Sequence, residues 1–256
     1  MNKLAMAALV ALAASSSWAI NGTIKGEKGM WTGDIKWQSR SKTYAISIKK
    51  GNTVVSAECP LDNVERIDID KPAGFDKAVE LVTRGQGASA IASLTKIVQD
   101  YKMLVWDKPA GRYLVEAYLA AGNAQKAYEI ASGIISEDKS AAWSSDLAPA
   151  YWQALLKLNK TTQLENCLKK AAATGDRASS ASALVMRGDV IVANGADSPE
   201  SYRQALTDSY LRVALMYTDE PCREARATAM RKAATCFDKL GMAARAEAMR
   251  TQAGTL

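Results

Sequence analysis

The sequence predicts a mainly α chain, a solenoid of about five helical hairpins preceded by a small four-stranded β domain. Three observations predict it. Residues 112–134, RYLVEAYLAAGNAQKAYEIASGI, read as a helix, a sharp turn and a second helix, with Leu114, Tyr118, Gly122 and Ala127 at fixed offsets. Looser copies of that pattern recur down to the C-terminal end. Between Trp31 and Ile69, by contrast, apolar residues alternate with polar ones, which is the period of a half-buried strand, and no such run follows Pro72.

Residues 1–19, MNKLAMAALVALAASSSWA, have the layout of an export signal. Lys3 gives a positive start, Leu4 to Ala14 a short apolar run, and Ser17-Trp18-Ala19 a small-residue cleavage site. The apolar run falls short of the ~20 residues that span a bilayer. The expected mature chain starts at Ile20, has no membrane-spanning segment and works in the periplasm or cell envelope, or is released. Its formal charge is +5, the +6 of the whole sequence less Lys3. Mild positive charge on an exported chain argues against nucleic acid as the partner.

Residues 20–30, INGTIKGEKGM, are rich in Gly and Lys and are expected to be flexible. Four strands are expected near 31–38, 43–49, 53–58 and 64–69, a unit similar in size to an SH3-like or Sm-like barrel. Lys25, Lys28, Lys36, Arg40, Lys42, Lys49 and Lys50 face only Glu27 and Asp34, with Trp31, Trp37 and Tyr44 interleaved. Such a pattern could contact a polyanion or glycan; the expected reading is a solvated face over a tiny aromatic core. Lys71-Pro72 closes the β domain, so 31–71 is one domain and 72–256 the other.

Helices are expected over Phe75–Arg84 and Ala88–Leu104, around a turn at Gly85-Gln86-Gly87. Trp106-Asp107-Lys108-Pro109 breaks the chain ahead of the hairpin at 112–134. The third hairpin spans Asp146 to Thr174 with its turn at Leu158-Asn159-Lys160. The fourth runs from Ser180 to Tyr217, with Gly188 as a close-contact glycine and Gly195 as a turn glycine. The fifth begins near Pro221 and carries Phe237, Gly241 and Ala246.

The chain has no histidine. That removes histidine triads, histidine metal sites and imidazole acid–base chemistry. No CxxC, GxxxxGK[ST] or GxSxG occurs. No catalytic, metal or cofactor residues are assigned, and the expected class is a non-enzymatic binding protein. Cys222 and Cys236 share one expected helix about 21 Å apart, and Cys59 and Cys167 lie elsewhere, so buried, unbridged thiols are expected. Trp143 and Trp152 are expected in the core between hairpins, with an exposed anchor as the alternative.

Tyr118, Gly122 and Ala127, and again Phe237, Gly241 and Ala246, have the spacing of a tetratricopeptide repeat, and the chain resembles that family. It departs from the pattern at Gly111, where the family has tryptophan, and at Lys139, where it has proline. With the export signal and the segment from Tyr210 to Pro221, the chain is also similar to the repeat domains of bacterial envelope proteins. The resemblance implies stacked hairpins whose first helices line a groove for a protein or peptide. It puts Phe75 and Val79, Arg112 and Glu116, Gln153 and Lys157, Val185 and Asp189, and Arg231 and Asp238 on that groove. In some members paired Lys and Asn clamp a peptide carboxylate; here the matching positions hold Arg112 and Glu116, so the resemblance does not extend to that use.

Overall fold

The computed structural model describes residues 20–27 and 29–256. The expected export signal, 1–19, and Lys28 lie outside the described residues. The chain divides into two compact units. One holds the described residues up to Pro72 together with Lys96–Asp107; the other holds Ala73–Thr95 and Lys108–Leu256.

The first unit is an antiparallel sheet of β1 (Ile20–Gly26), β2 (Gly29–Gln38), β3 (Thr43–Lys50), β4 (Thr53–Pro60) and β5 (Val64–Ile69), in the order β4-β3-β2-β1-β5. Five strands replace the expected four. The segment 20–30, expected to be flexible, forms β1 and the start of β2. Ile20 and Ile24 stand opposite Ile35 and Trp31, and Ile24 also stands opposite Ile67. The glycines that made this stretch look loose serve close approach: a Cβ on Gly22 would lie 2.6 Å from Ile69 Cγ1.

The sheet must curl. Its edge strands, β4 and β5, would be about 19 Å apart across a flat five-stranded sheet. They are joined only by the short 3-10 turn Leu61–Asn63, whose reach is about 14 Å. Ile24, Ile35, Tyr44, Ile46 and Cys59 fill the interior, and Trp31 and Trp37 pack against them. Of the aromatics of the basic stretch Tyr44 is a core residue, and the half-buried Trp31 and Trp37 pack against that core, the Trp37 and Tyr44 ring centroids 4.8 Å apart.

Leu104 completes this core, buried among the strands' side chains. A helix was expected to run through it, but α2 (Gly87–Asp100) stops four residues short. The chain then turns through left-handed residues at Met103 (φ 61°) and Val105 (φ 67°). Apolar character at Leu104 satisfies a helical periodicity and a sheet plug equally, which is why the sequence misplaces it. The boundary at residue 72 is likewise too simple, since Lys96–Asp107 groups with the sheet.

Two hydrogen bonds tie this segment down. Tyr44 Oη donates to the Met103 carbonyl at 2.9 Å, and Trp106 Nε1 donates to the Ile69 carbonyl at 3.0 Å. Burial first, then Asp107 and Cys59, push the Tyr44 phenol up to about 12. Tyr44→Phe is expected to cost about 1 kcal/mol in urea unfolding, because the Met103 carbonyl loses its donor. An unchanged midpoint would show that water replaces the phenol.

The second unit is helical: α1 (Phe75–Thr83), the start of α2, α3 (Asp107–Ala120) from Lys108 on, α4 (Ala124–Glu137), α5 (Ala148–Lys157), α6 (Thr161–Ala173), α7 (Arg177–Asn194), α8 (Pro199–Ala205), α9 (Leu211–Met216), α10 (Arg223–Lys239) and α11 (Ala243–Gly254). Asn123, Asp176 and Ser198 cap α4, α7 and α8 by accepting from the backbone N–H groups of Lys126, Ser179 and Ser201. Five inter-helix turns pass through a left-handed glycine or asparagine: Gly85 (φ 76°), Gly122 (φ 77°), Asn159 (φ 53°), Gly175 (φ 76°) and Gly241 (φ 74°). Glycine, or asparagine, meets that requirement at least cost. Gly195, expected in the same role, has φ −84°, and Ala196 and Asp197 take the left-handed turn instead. Gly195 is small for another reason, since a Cβ there would meet Ser201 Cβ at 2.2 Å.

Among the described residues two large apolar clusters hold the helices, and a small one gathers Ala214, Met230 and Ala253. One large cluster gathers Val115, Ala127, Ala131, Trp152, Leu155, Leu164 and Leu168 with Ala183 and Met186 of α7. The other gathers Ala181 and Val185 of α7 with Tyr202, Leu206, Tyr210, Val213, Ala233 and Phe237. Alanines recur at these contacts and let helix backbones come close. All four cysteines are buried and unpaired. No helix among the described residues is long and apolar enough to cross a membrane.

Candidate binding groove

In the helical unit α3, α5, α7 and α10, with the segment ahead of α5, surround a cavity of about 490 Å³. Each helix offers residues spaced three or four apart, so that they share a face. These are Arg112 and Glu116 on α3, Pro149 and Gln153 on α5, Ser182, Met186 and Asp189 on α7, and Glu224, Thr228 and Lys232 on α10.

Five of the ten residues placed on the groove from sequence, Arg112, Glu116, Gln153, Val185 and Asp189, line this cavity, and Val79 does not. Phe75 does not: it is buried, its ring edge-on to Tyr113 with centroids 5.9 Å apart. Lys157 lies one turn beyond Gln153 at the exposed end of α5. Arg231 is exposed on α10 and donates to Thr228 Oγ1 at 3.2 Å, and Asp238 pairs with Arg250 of α11. The family frame laid on α10 was displaced by one residue, a rotation of about 100°. The row Glu224, Thr228, Lys232 carried the correct register. Glu224 and Lys232 were missed for that reason and Asp146 because it precedes its helix; Ser182 shares the α7 face of Val185 and Asp189, about one turn ahead of the expected pair.

Arg112 is the central side chain. Its Nε lies 2.9 Å from Glu116 Oε1, its Nη2 lies 2.9 Å from Glu224 Oε1, and its Nη1 lies 3.6 Å from Asp146 Oδ2. One guanidinium thus links α3 to α10 and to the segment before α5. Only 19% of its side chain is exposed. Burial opposes its charge, but Glu116 and then Glu224 outweigh that and hold its pKa above the usual arginine value. Burial pushes the Glu116 carboxyl up, and Arg112 pulls it part of the way back.

A second network sits on α7 and α10. Asp189 accepts from Tyr210 Oη at 2.7 Å and pairs with Lys232 Nζ at 2.8 Å. Burial first, then Asp189, hold the Tyr210 phenol far above its ordinary range. Tyr210 ends a π-helical turn, Leu206–Tyr210, that joins α8 to α9. Gly188 makes room for it: a Cβ there would lie 2.5 Å from the Tyr210 ring and 2.6 Å from Ser209 Oγ. Gly188→Ala is therefore expected to cost about 1–3 kcal/mol by overpacking, read from a thermal melt. A melt unchanged from the parent would mean that the π turn yields freely.

Trp152 forms part of the wall. It is fully buried, and its Nε1 donates to the Ala142 carbonyl at 2.8 Å. Trp143 is half-buried at the rim, with Lys170 Nζ stacked 4.1 Å from its ring centroid. Among the described residues no group of three Asp, Glu, Cys or His side chains is placed to hold a metal ion. Comparison with family models, with curated proteins and with solved structures finds no match to this chain.

Proposed function

We propose that this chain is a non-enzymatic adaptor of the bacterial periplasm or cell envelope, which holds a protein or peptide segment in the groove between α3, α5, α7 and α10. In this reading the helical unit is a stack of tetratricopeptide-type hairpins. One observation carries it: four of the five helices expected to lead their hairpins, α3, α5, α7 and α10, contribute side chains to a single cavity. The volume lies in the usual range for a binding site, ~300–1,000 Å³. The groove is already linked from side to side by Arg112, so little ordering is needed on binding.

A photo-crosslinking residue placed at Gln153 or Thr228 in cells should capture a defined partner, whereas the same residue at Lys239 should not. Purified partner should then bind the chain, and Ser182→Trp, which fills the cavity, should abolish the complex. Binding unchanged by Ser182→Trp would sink the groove reading.

A polymer-binding reading rests on the sheet unit, where Lys36, Arg40, Lys42, Lys49 and Lys50 are exposed. It is the weaker reading, because Tyr44 is buried and Trp37 packs against it at the sheet core. Salt-sensitive binding of the chain to an acidic glycan, lost when these lysines are changed to glutamine, would revive it.

A further inference from the structure

The charge of the cavity wall points to its occupant. The protein as a whole is basic, but the cavity is lined by five carboxylates and two cations. Asp189 is matched by Lys232 and Glu116 by Arg112. That leaves Asp146, Asp176 and Glu224 in excess. Asp176 is held ionised by hydrogen bonds from Ser179, which place its carboxyl below the usual range. The side chains of Asp146 and Glu224 are 87% and 76% exposed. Asp146 has only the long 3.6 Å approach of Arg112.

We infer that the groove binds a polypeptide segment carrying a lysine or arginine side chain flanked by apolar residues. This inference rests on the groove reading above and adds the chemistry of the occupant. Three features support it. The cavity already accommodates one guanidinium, its own, between carboxylates of α3 and α10. The excess carboxylates come from three separate elements: the segment before α5, the N-cap of α7 and the first turn of α10. Two of them, Asp146 and Glu224, converge on the Arg112 guanidinium, and the third, Asp176, caps α7. Beside them the half-buried Trp143 and the edges of the buried Val185 and Met186 line the cavity with apolar atoms, which a peptide with alternating basic and apolar residues would cover. Wall carboxylates with the field of a low-dielectric cleft concentrate cations and repel an acidic terminus.

The test uses fluorescein-labelled hexapeptides with the purified chain, followed by anisotropy at low and moderate salt. One peptide alternates Lys with Leu, one Glu with Leu and one Ser with Leu; free spermidine is the competitor. The Lys–Leu peptide should bind at least about tenfold more tightly than the other two, and less tightly as salt rises. Asp146→Asn with Glu224→Gln should weaken it about tenfold or more. Both side chains are exposed, so the variant should fold, and circular dichroism checks that. Binding of the Lys–Leu peptide that persists unchanged in the double variant would overturn the inference. So would tighter binding of the Glu–Leu or Ser–Leu peptide; if Ser182→Trp blocks that binding, the groove stands and only the cationic assignment falls. Spermidine displacing the peptide at equal affinity would remove the polypeptide part. If no peptide binds, the inference fails, and the groove reading is judged separately by crosslinking at Gln153.

Discussion

Trp152→Ala is expected to destabilise the helical unit by about 3–5 kcal/mol. Trp152 is fully buried, in the cluster that joins α3 to α7. Deleting the indole removes a large apolar contact and leaves a void that the alanine-rich neighbours cannot fill. It also strips the Ala142 carbonyl of its donor. Trp152→Phe separates the two effects, since it retains most of the packing and loses only the hydrogen bond, at about 1–3 kcal/mol. Urea unfolding followed by far-ultraviolet circular dichroism gives both numbers. A Trp152→Ala loss below about 1 kcal/mol would show that the cluster recloses and that Trp152 is not its centre.

Arg112→Gln is the next largest, at about 2–3 kcal/mol at neutral pH. The loss comes less from the salt bridge itself than from Glu116, left half-buried without a cation. The pH dependence has a definite sign. Burial already raises the folded-state pKa of Glu116, and removing Arg112 raises it further. The folded variant then holds its proton at pH values where the unfolded chain has released it. Its stability therefore falls as pH rises through the Glu116 range and recovers as pH is lowered towards the ordinary carboxylate value. Arg112→Gln with Glu116→Gln should regain most of the loss at neutral pH. If the double variant is no more stable than the single one, an unpaired carboxylate is not the cause.

Much of the fold was legible in the sequence because local chemistry and tertiary demand agree. β2 to β5 follow from alternation, and the turns at Gly85, Gly122, Asn159 and Gly241 follow from the need for a left-handed residue between helices. The failures came where one residue type serves two ends. Glycine in β1 signals looseness but here permits close packing against Ile69. Leu104 fits a helical stripe but fills the sheet. The groove was half-legible. Arg112, Glu116, Gln153 and Asp189 followed from the repeat frame, whereas Asp146 and Glu224 meet Arg112 only through contacts made across 34 and 112 residues of chain. No periodicity within one helix reports such a contact.

Helix α7 contributes Ala183 and Met186 to one apolar cluster and Ala181 and Val185 to the other. A linear array of repeats often unravels from its ends, because each repeat touches only its neighbours. Here the two clusters share one helix, so disruption of either one strips α7 of part of its apolar cover. The helical unit should thus melt cooperatively, in one step, and a segment seated against Met186 and Val185 would stiffen both halves at once.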